Sequence, residues 1–333
     1  MKNGLIRFDH FLNQLQELLA KSSKQKNPAL WLYQNNARTP LFMLEGLAKL
    51  YSGIHNKKKF GKLKAQFKLL EDTIGAIDYY DSFAKEFIKN KKIPAAITTY
   101  IQAQSREKLQ SLNEILKEKE WLIEGNIRME KIRKKLAKAD WEKEKEEVES
   151  IQGFYMLSIK EILNFINKKD FHFENVESDV HEFRRKLRWL SIYPQTLQGS
   201  IQLSKAKSTP KFLSKYLTKE ITGSPYNIMP DAADHPHFLL FDKNRFYALS
   251  WMIAELGKLK DNGLRVQVIK EAILQTSATN EKEALLKAYK ICGPKQVSIK
   301  QVLSKAEAIC KTYCKEKNLE TLIMGTAAVP KLI

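Results

Sequence analysis

The chain has few of the residues that break regular structure or cross-link a fold. Its 13 glycines and 10 prolines in 333 residues are too few for a turn-rich β architecture and favour long helices. Three cysteines, an odd and sparse set, argue against a disulfide framework and are typical of a reducing compartment. No apolar stretch is long enough to cross a bilayer, and the amphipathic N-terminus lacks the features of a secretory signal. These absences predict a cytoplasmic, helical protein.

The sequence also lacks the short motifs of the commonest phosphate and hydrolytic chemistry. It has no Walker-type glycine-rich loop, no His-Glu-x-x-His and no Gly-x-Ser-x-Gly. Cys310 and Cys314 lie four residues apart on a predicted helix, but no histidine or second cysteine pair completes a metal set. We therefore predict no catalysis, no metal and no cofactor. A hydrolase or transferase acting on phosphate esters is the least favoured interpretation.

Positive charge is what the chain has in excess. There are 57 Lys and Arg against 38 Asp and Glu, a formal net charge of +19, and the pI is about 9.6. This imbalance predicts attraction to polyanions such as nucleic acid, anionic lipid or polyphosphate. A hydrophobic content of 43% and an aromatic content of 10% are those of a folded protein and not of a disordered basic tail.

Helical periodicity runs along the chain and predicts an all-α fold. The residues 222–240, which contain three prolines, are predicted to form the longest loop. The expected helices span 4–20, 29–52, 60–90, 93–119, 127–139, 141–168, 175–198, 209–221, 242–258, 263–275, 280–291 and 297–316.

A faint internal repeat suggests duplication of a helical unit. A long helix, a connection and a second helix occur in that order twice, and the copies end in similar motifs at Gly75 and Gly257. The repeat predicts one domain built from two helical halves, residues 1–139 and 140–333.

The helix predicted over 175–198 carries an apolar seam. Four apolar side chains recur at i, i+3, i+7 and i+10 and are expected to face the core. They are Val180, Phe183, Leu187 and Leu190.

A basic stripe lies beside this seam. His181, Arg184 and Arg188 repeat the i, i+3, i+7 spacing one residue later, so they flank the buried face instead of pointing away from it. Cations in that position tend to line a groove between packed helices. Such a groove predicts an anionic ligand.

At these residues the sequence resembles the CHAD family, the conserved-histidine α-helical domain. The second half matches the family's His-x-x-Arg and the basic residue four positions on in His181, Arg184 and Arg188. It matches the later Leu-Gly-x-x-x-Asp in Gly257 and Asp261.

The first half matches this pattern less completely. Arg38 is kept, but Asn35 stands in the place of the histidine and Phe42 in that of the next basic residue. The later motif keeps Gly75 and Asp81 and loses its arginine. The departures imply an asymmetric site weighted to the second half.

The resemblance covers most of residues 29–275 and implies two helical bundles related by a pseudo-twofold axis. It also implies a basic central groove or pore that binds inorganic polyphosphate or a similar polyanion without catalysis. The alternative is a helical protein that binds RNA or DNA through the same basic face. The candidate binding residues are His181, Arg184, Arg188, Arg38, Lys62, Lys64, Lys68, Lys211, Lys215 and Arg245.

Two groups of lysines in this region of the sequence are candidates because of their spacing. Lys64 and Lys68 lie one helical turn apart and are expected to form a second wall of the groove. Lys211, Lys215 and Lys219 form an i, i+4, i+8 stripe on the predicted 209–221 helix, where they would repel one another unless an anion binds.

Overall fold

The structure is a computed structural model that describes residues 3–122, 127–205, 208–232 and 235–328. It is mostly helical, as the periodicity predicts. The described α-helices are α1 (Asn3–Ser22), α2 (Pro28–Gln34), α3 (Arg38–Ile54), α4 (Lys57–Ile88), α5 (Ala95–Glu118), α6 (Ile127–Ala137), α7 (Glu144–Asn167), α8 (Glu182–Thr196), α9 (Lys219–Thr222), α10 (Lys243–Thr276), α11 (Glu281–Cys292) and α12 (Ile299–Lys315).

Three short strands, which the sequence interpretation missed, form a small mixed sheet. They are β1 (Ile201–Leu203), β2 (His237–Phe241) and β3 (Ile323–Ala328). The sheet order is β1-β2-β3, with β1 and β2 parallel and β2 and β3 antiparallel. β2 includes the end of the segment predicted as the 222–240 loop. Strands of three to six residues are too short for a two-residue period to stand out against a helical background.

One left-handed residue separates α2 from α3. Asn36 has a φ of 57°, a conformation that asparagine adopts more readily than most residues. The helix predicted over 29–52 is therefore two helices, and the second begins at Arg38. Pro40 lies in its first turn, where the missing N–H group costs no helical hydrogen bond.

α8 is preceded by one turn of π-helix, Val176–His181. The side chain of Asn175 caps this turn by accepting hydrogen bonds from the backbone N–H groups of Glu177 and Ser178. π-turns are rare and are often found at functional sites. Here the turn ends at His181, the first residue of the basic stripe.

The apolar seam of α8 is buried as predicted. Its four side chains are at most 1% exposed. A buried side chain of this size contributes roughly 1.5–3 kcal/mol relative to an exposed one, so the seam fixes the rotation of α8 about its axis. The seam residues are Val180, Phe183, Leu187 and Leu190.

Two further sequence predictions differ from the observed helices. The 209–221 helix is wrong, because Lys211–Tyr216 forms a 3₁₀ helix and α9 is only one turn long. Conversely, the break predicted near Gly263 is absent from α10, which runs unbroken to Thr276. A Cβ at Gly263 would lie 3.0 Å from Cγ1 of Val176, so this glycine serves close packing and not a turn.

The contacts divide the chain into two compact units. The first unit is Gly4–Trp141 together with Arg265–Gln296, and the second is chiefly Glu142–Leu264 together with the chain from Val297 onward. The sequence interpretation had divided the chain after residue 139 and placed everything beyond it in one half. The two boundaries lie close together, but the contacts assign the end of α10 and all of α11 to the first unit.

Each unit has an aromatic core. In the first unit the ring of Phe60 lies with its centroid 5.8 Å from that of Phe8. In the second unit Tyr155 packs edge-on against Phe241 of β2, with ring centroids 5.0 Å apart. No helix in the described part of the chain is long and apolar enough to cross a membrane.

Candidate anion-binding site

His181 begins the basic stripe of the second unit. Its Nδ1 lies 2.7 Å from Oε1 of Glu177, one turn earlier. This hydrogen bond is the main reason why the pKa of the Glu177 carboxyl lies below its usual value. Because Nδ1 donates to the carboxylate, Nε2 is the ring nitrogen that remains for another hydrogen bond. The half-buried ring is thereby oriented by Glu177.

Arg184 lies against Gly257 of α10. Its Nε donates to the carbonyl oxygen of Ile253 at 3.0 Å. A Cβ on Gly257 would lie 3.1 Å from Nε and 3.3 Å from Nη2 of the arginine. Only glycine leaves room for the guanidinium at this distance without a shift, so the Leu-Gly motif fixes the arginine.

The charge of Arg184 is only weakly compensated. Partial burial lowers its pKa, and the charge of Asp261 raises it. Asp261 itself forms an ion pair with Lys260, with 3.1 Å between Nζ and Oδ1. Among the residues that the structure describes, no carboxylate forms an ion pair with Arg184. Its two terminal nitrogens are not among the fully buried polar atoms that lack a hydrogen-bond partner. The terminal nitrogens are therefore open to solvent.

Arg188 lies one turn beyond Arg184 on α8 and is exposed. It takes part in an interaction of its own, so it is not counted as an unpaired cation. Side chains four residues apart on a helix are neighbours. Arg184 and Arg188 therefore lie along one side of α8, next to the buried seam, and His181 lies at the end of the π-turn that precedes the helix.

Arg38 makes the corresponding contact in the first unit. A Cβ on Gly75 of α4 would lie 2.7 Å from Nη2 of Arg38. Unlike Arg184, Arg38 is held by two carboxylates. Its Nε lies 2.8 Å from Oε1 of Glu71, and its Nη1 lies 3.3 Å from Oδ2 of Asp78.

In the first unit, the two residues at the positions equivalent to His181 and Arg188 carry no formal charge. Asn35, in the place of the histidine, donates from Nδ2 to the carbonyl oxygen of Trp31 at 2.8 Å. Phe42, in the place of the second basic residue, is half-buried. The first unit therefore has one arginine at these positions, and it is already paired with carboxylates. The second unit has the basic stripe of three residues.

The lysines of α4 are dispersed on its surface. Lys62 is exposed, and Lys64 is half-buried. Lys68 forms an ion pair with Asp72 at 2.7 Å. Both Lys64 and Lys68 lower the pKa of Glu45, but burial outweighs them and raises it to about 7. Lys64 and Lys68 therefore lie near acidic side chains of their own unit, and a second wall of a groove is not shown.

The remaining candidates, Lys215 and Arg245, converge on Glu316 at the end of α12. Lys215 Nζ lies 2.5 Å from Oε1 of Glu316. Arg245 donates from Nη1 to the carbonyl oxygen of Glu316 at 2.9 Å and lies over the ring of Phe212. Lys211 is exposed at the start of the 3₁₀ segment. These contacts fasten the 3₁₀ segment to α10 and α12, which is a structural role.

Sequence reasoning missed the acidic partners of the site. Glu177 lies one turn before His181, and that spacing was visible in the sequence. Glu71 and Asp78 lie four residues before and three residues after Gly75. Their pairing with Arg38 depends on how α3 packs against α4, which periodicity does not give.

Comparison with known proteins gives no further assignment: no family model, no curated protein and no solved structure matches the chain. In the described ranges, no group of three His, Cys, Asp or Glu side chains is placed to hold a metal ion.

Proposed function

We propose that the protein binds inorganic polyphosphate, or a similar phosphate-rich polyanion, through His181 of the π-turn and Arg184 and Arg188 of α8. The observation that carries this proposal is the environment of Arg184. Its guanidinium is fixed against Gly257 and half-buried, and in the described part of the chain it donates to no carboxylate. A partly desolvated cation without a carboxylate gains most from an external oxyanion.

The stripe suits a chain of phosphates. The terminal nitrogens of Arg184 can donate to two oxygens of one phosphate, in the fork geometry that favours arginine over lysine. His181 and Arg188 lie one turn to either side and can contact neighbouring phosphates. Polyphosphate repeats its charge along a flexible chain, so a linear row of donors matches it without reading any base edge.

The proposal includes membership of the CHAD family. Its support is the packing of an arginine against a glycine in both units, Arg38 on Gly75 and Arg184 on Gly257. These are the positions that the family resemblance selected. The family's two bundles, related by a pseudo-twofold axis about a basic groove, and a non-catalytic role in the cytoplasm are parts of this same proposal.

Binding of RNA or DNA is the second candidate, because the net charge of +19 favours any polyanion. Competition separates the two ligands. We expect polyphosphate to displace a bound single-stranded RNA at concentrations at which RNA does not displace polyphosphate. The reverse order would favour the nucleic acid.

A single-residue test compares two adjacent arginines. Arg185 is exposed and pairs with Glu182, with 2.5 Å between Nη2 and Oε2. Arg184→Gln and Arg185→Gln remove the same charge from the same helix. We expect the first to weaken binding of long-chain polyphosphate about tenfold or more and the second to change it little. Equal losses in titration calorimetry would overturn the proposal.

A further inference from the structure

The two arginine–glycine contacts differ at two equivalent positions of the facing helix. Four residues before the glycine, α4 has Glu71 where α10 has Ile253. Three residues after it, α4 has Asp78 where α10 has Lys260. At identical spacing, one helix presents two acids and the other an apolar and a basic side chain.

This difference decides what each guanidinium contacts. Nε of Arg38 lies 2.8 Å from Oε1 of Glu71, and its Nη1 lies 3.3 Å from Oδ2 of Asp78. At the position of Glu71 the second unit has an apolar side chain, so Nε of Arg184 turns to the backbone carbonyl of Ile253. Two carboxylate groups on one guanidinium occupy the edges that an oxyanion would use.

Of the two acids that pair with Arg38, Asp78 is exposed and Glu71 is not. Glu71 is buried, with 6% of its surface exposed, and Glu45 beside it raises the local negative charge when ionised. An incoming phosphate would have to displace the Glu71 carboxylate and leave it buried without its arginine, which is strongly unfavourable. It would also be repelled by the neighbouring acids.

We propose that Glu71 and Asp78, by pairing with Arg38, prevent this arginine from binding an external oxyanion. The protein then has one open site, beside Arg184, and one internally occupied site, beside Arg38. This inference rests on the proposed function, since it takes the Arg184 site to be an anion site. It names the two acids as the residues that set the number of phosphate sites per chain.

Removing both acids should open the closed site. Glu71→Gln with Asp78→Asn keeps the side-chain shapes and leaves Arg38 with neutral acceptors. The matched control is Glu118→Gln with Asp140→Asn, two exposed acids of the same unit that change the net charge equally. With inorganic tripolyphosphate as the probe at physiological salt, we expect the stoichiometry to rise from about one to about two per chain in the first variant only.

The same change is tested in a chain whose open site is disabled. Arg184→Gln alone should weaken binding about tenfold or more, and adding Glu71→Gln with Asp78→Asn should restore it. If Arg184→Gln weakens binding but the added pair restores nothing beyond the control pair, the closure is contradicted and the proposed function stands. If Arg184→Gln has no effect, the proposed function itself fails.

The reciprocal change should close the open site. Ile253 is half-buried and lies where Glu71 lies in the first unit, so Ile253→Glu places a carboxylate beside Arg184. Ile253→Gln has the same size without the charge and serves as its control. We expect the glutamate to weaken tripolyphosphate binding about tenfold relative to the glutamine. Equal affinities, with both variants folded by circular dichroism, would overturn the inference.

Discussion

Arg184 lies so close to Gly257 that a methyl group on the glycine would come within 3.1 Å of its Nε. The same nitrogen is bonded to the carbonyl oxygen of Ile253. The side chain is thus fixed at its base while the terminal nitrogens stay open. Arg38 has the same relation to Gly75, but it pairs with two carboxylates, whereas Arg184 forms no ion pair with any residue that the structure describes.

This relation predicts that alanine at Gly257 impairs binding more than it impairs folding. The new methyl group displaces the guanidinium by a few tenths of an ångström, while alanine itself favours the helix by about 1 kcal/mol. We expect Gly257→Ala to retain near wild-type stability in urea and to bind polyphosphate several-fold more weakly. Wild-type affinity in this variant would show that the contact does not position the arginine.

Gly61 and Gly153 provide matched helical controls, because a Cβ at either position meets no atom within 4 Å. Alanine at each should stabilise the protein by about 0.5–1 kcal/mol through helix propensity alone. Polyphosphate affinity should not change. A comparable loss of affinity in Gly153→Ala would mean that glycine-to-alanine changes act on binding indirectly.

Glu45 makes the stability of the protein depend on pH. Burial raises its pKa from 4.5 to about 7, so between these values the folded state holds a proton that the unfolded state has lost. Stability should therefore fall as the pH rises through this window and level off above it. Glu45→Gln removes this dependence and should be more stable than wild type by about 3 kcal/mol at pH 8.

The measurement is the difference between the wild-type and Glu45→Gln unfolding free energies from pH 4 to 8. Exposed Glu118 changed to Gln provides the control, since it should give a flat difference. A difference that is constant with pH for Glu45→Gln would contradict a raised pKa.

Glu316 contacts both Lys215 and Arg245. It pairs with Lys215, and Tyr216 donates to its Oε2 at 2.5 Å. The hydrogen bond of Lys215 is the largest cause that lowers the pKa of Glu316, although burial opposes it. Glu316→Gln should destabilise the protein by about 1–2 kcal/mol and leave polyphosphate affinity unchanged. A large change in affinity would return Lys215 and Arg245 to the binding site.

The parts of the site that lie on one helix could be predicted from the sequence. The seam through Leu187 and the stripe through Arg184 follow from the helical period alone, because burial of the apolar face fixes where its neighbours point. The two glycines stood out because each follows an apolar residue within the similar motifs of the two halves.

The parts that depend on packing between elements could not be predicted. The pairing of Arg38 with Glu71 depends on the register of α3 against α4. β2 escaped notice because its five residues are too few to show alternation. Gly263 suggested a turn, since nothing in the sequence reveals the side chain of Val176 packed against it.

The most direct test of the account is a comparison of two triple variants. One changes His181, Arg184 and Arg188 to alanine, and the other changes three lysines of α6. Lys131 and Lys134 already pair with Glu120 and Glu130, and the third is the adjacent Lys135.

Both variants lose a similar formal charge, so only the geometry of the stripe distinguishes them. Ion pairs at an exposed surface are worth roughly 0–1 kcal/mol, whereas a charge-assisted hydrogen bond contributes about 1.5–3 kcal/mol. Long-chain polyphosphate is titrated into each variant at fixed salt. The account predicts that affinity falls at least tenfold further in the α8 variant than in the α6 variant, and equal losses would contradict a defined site.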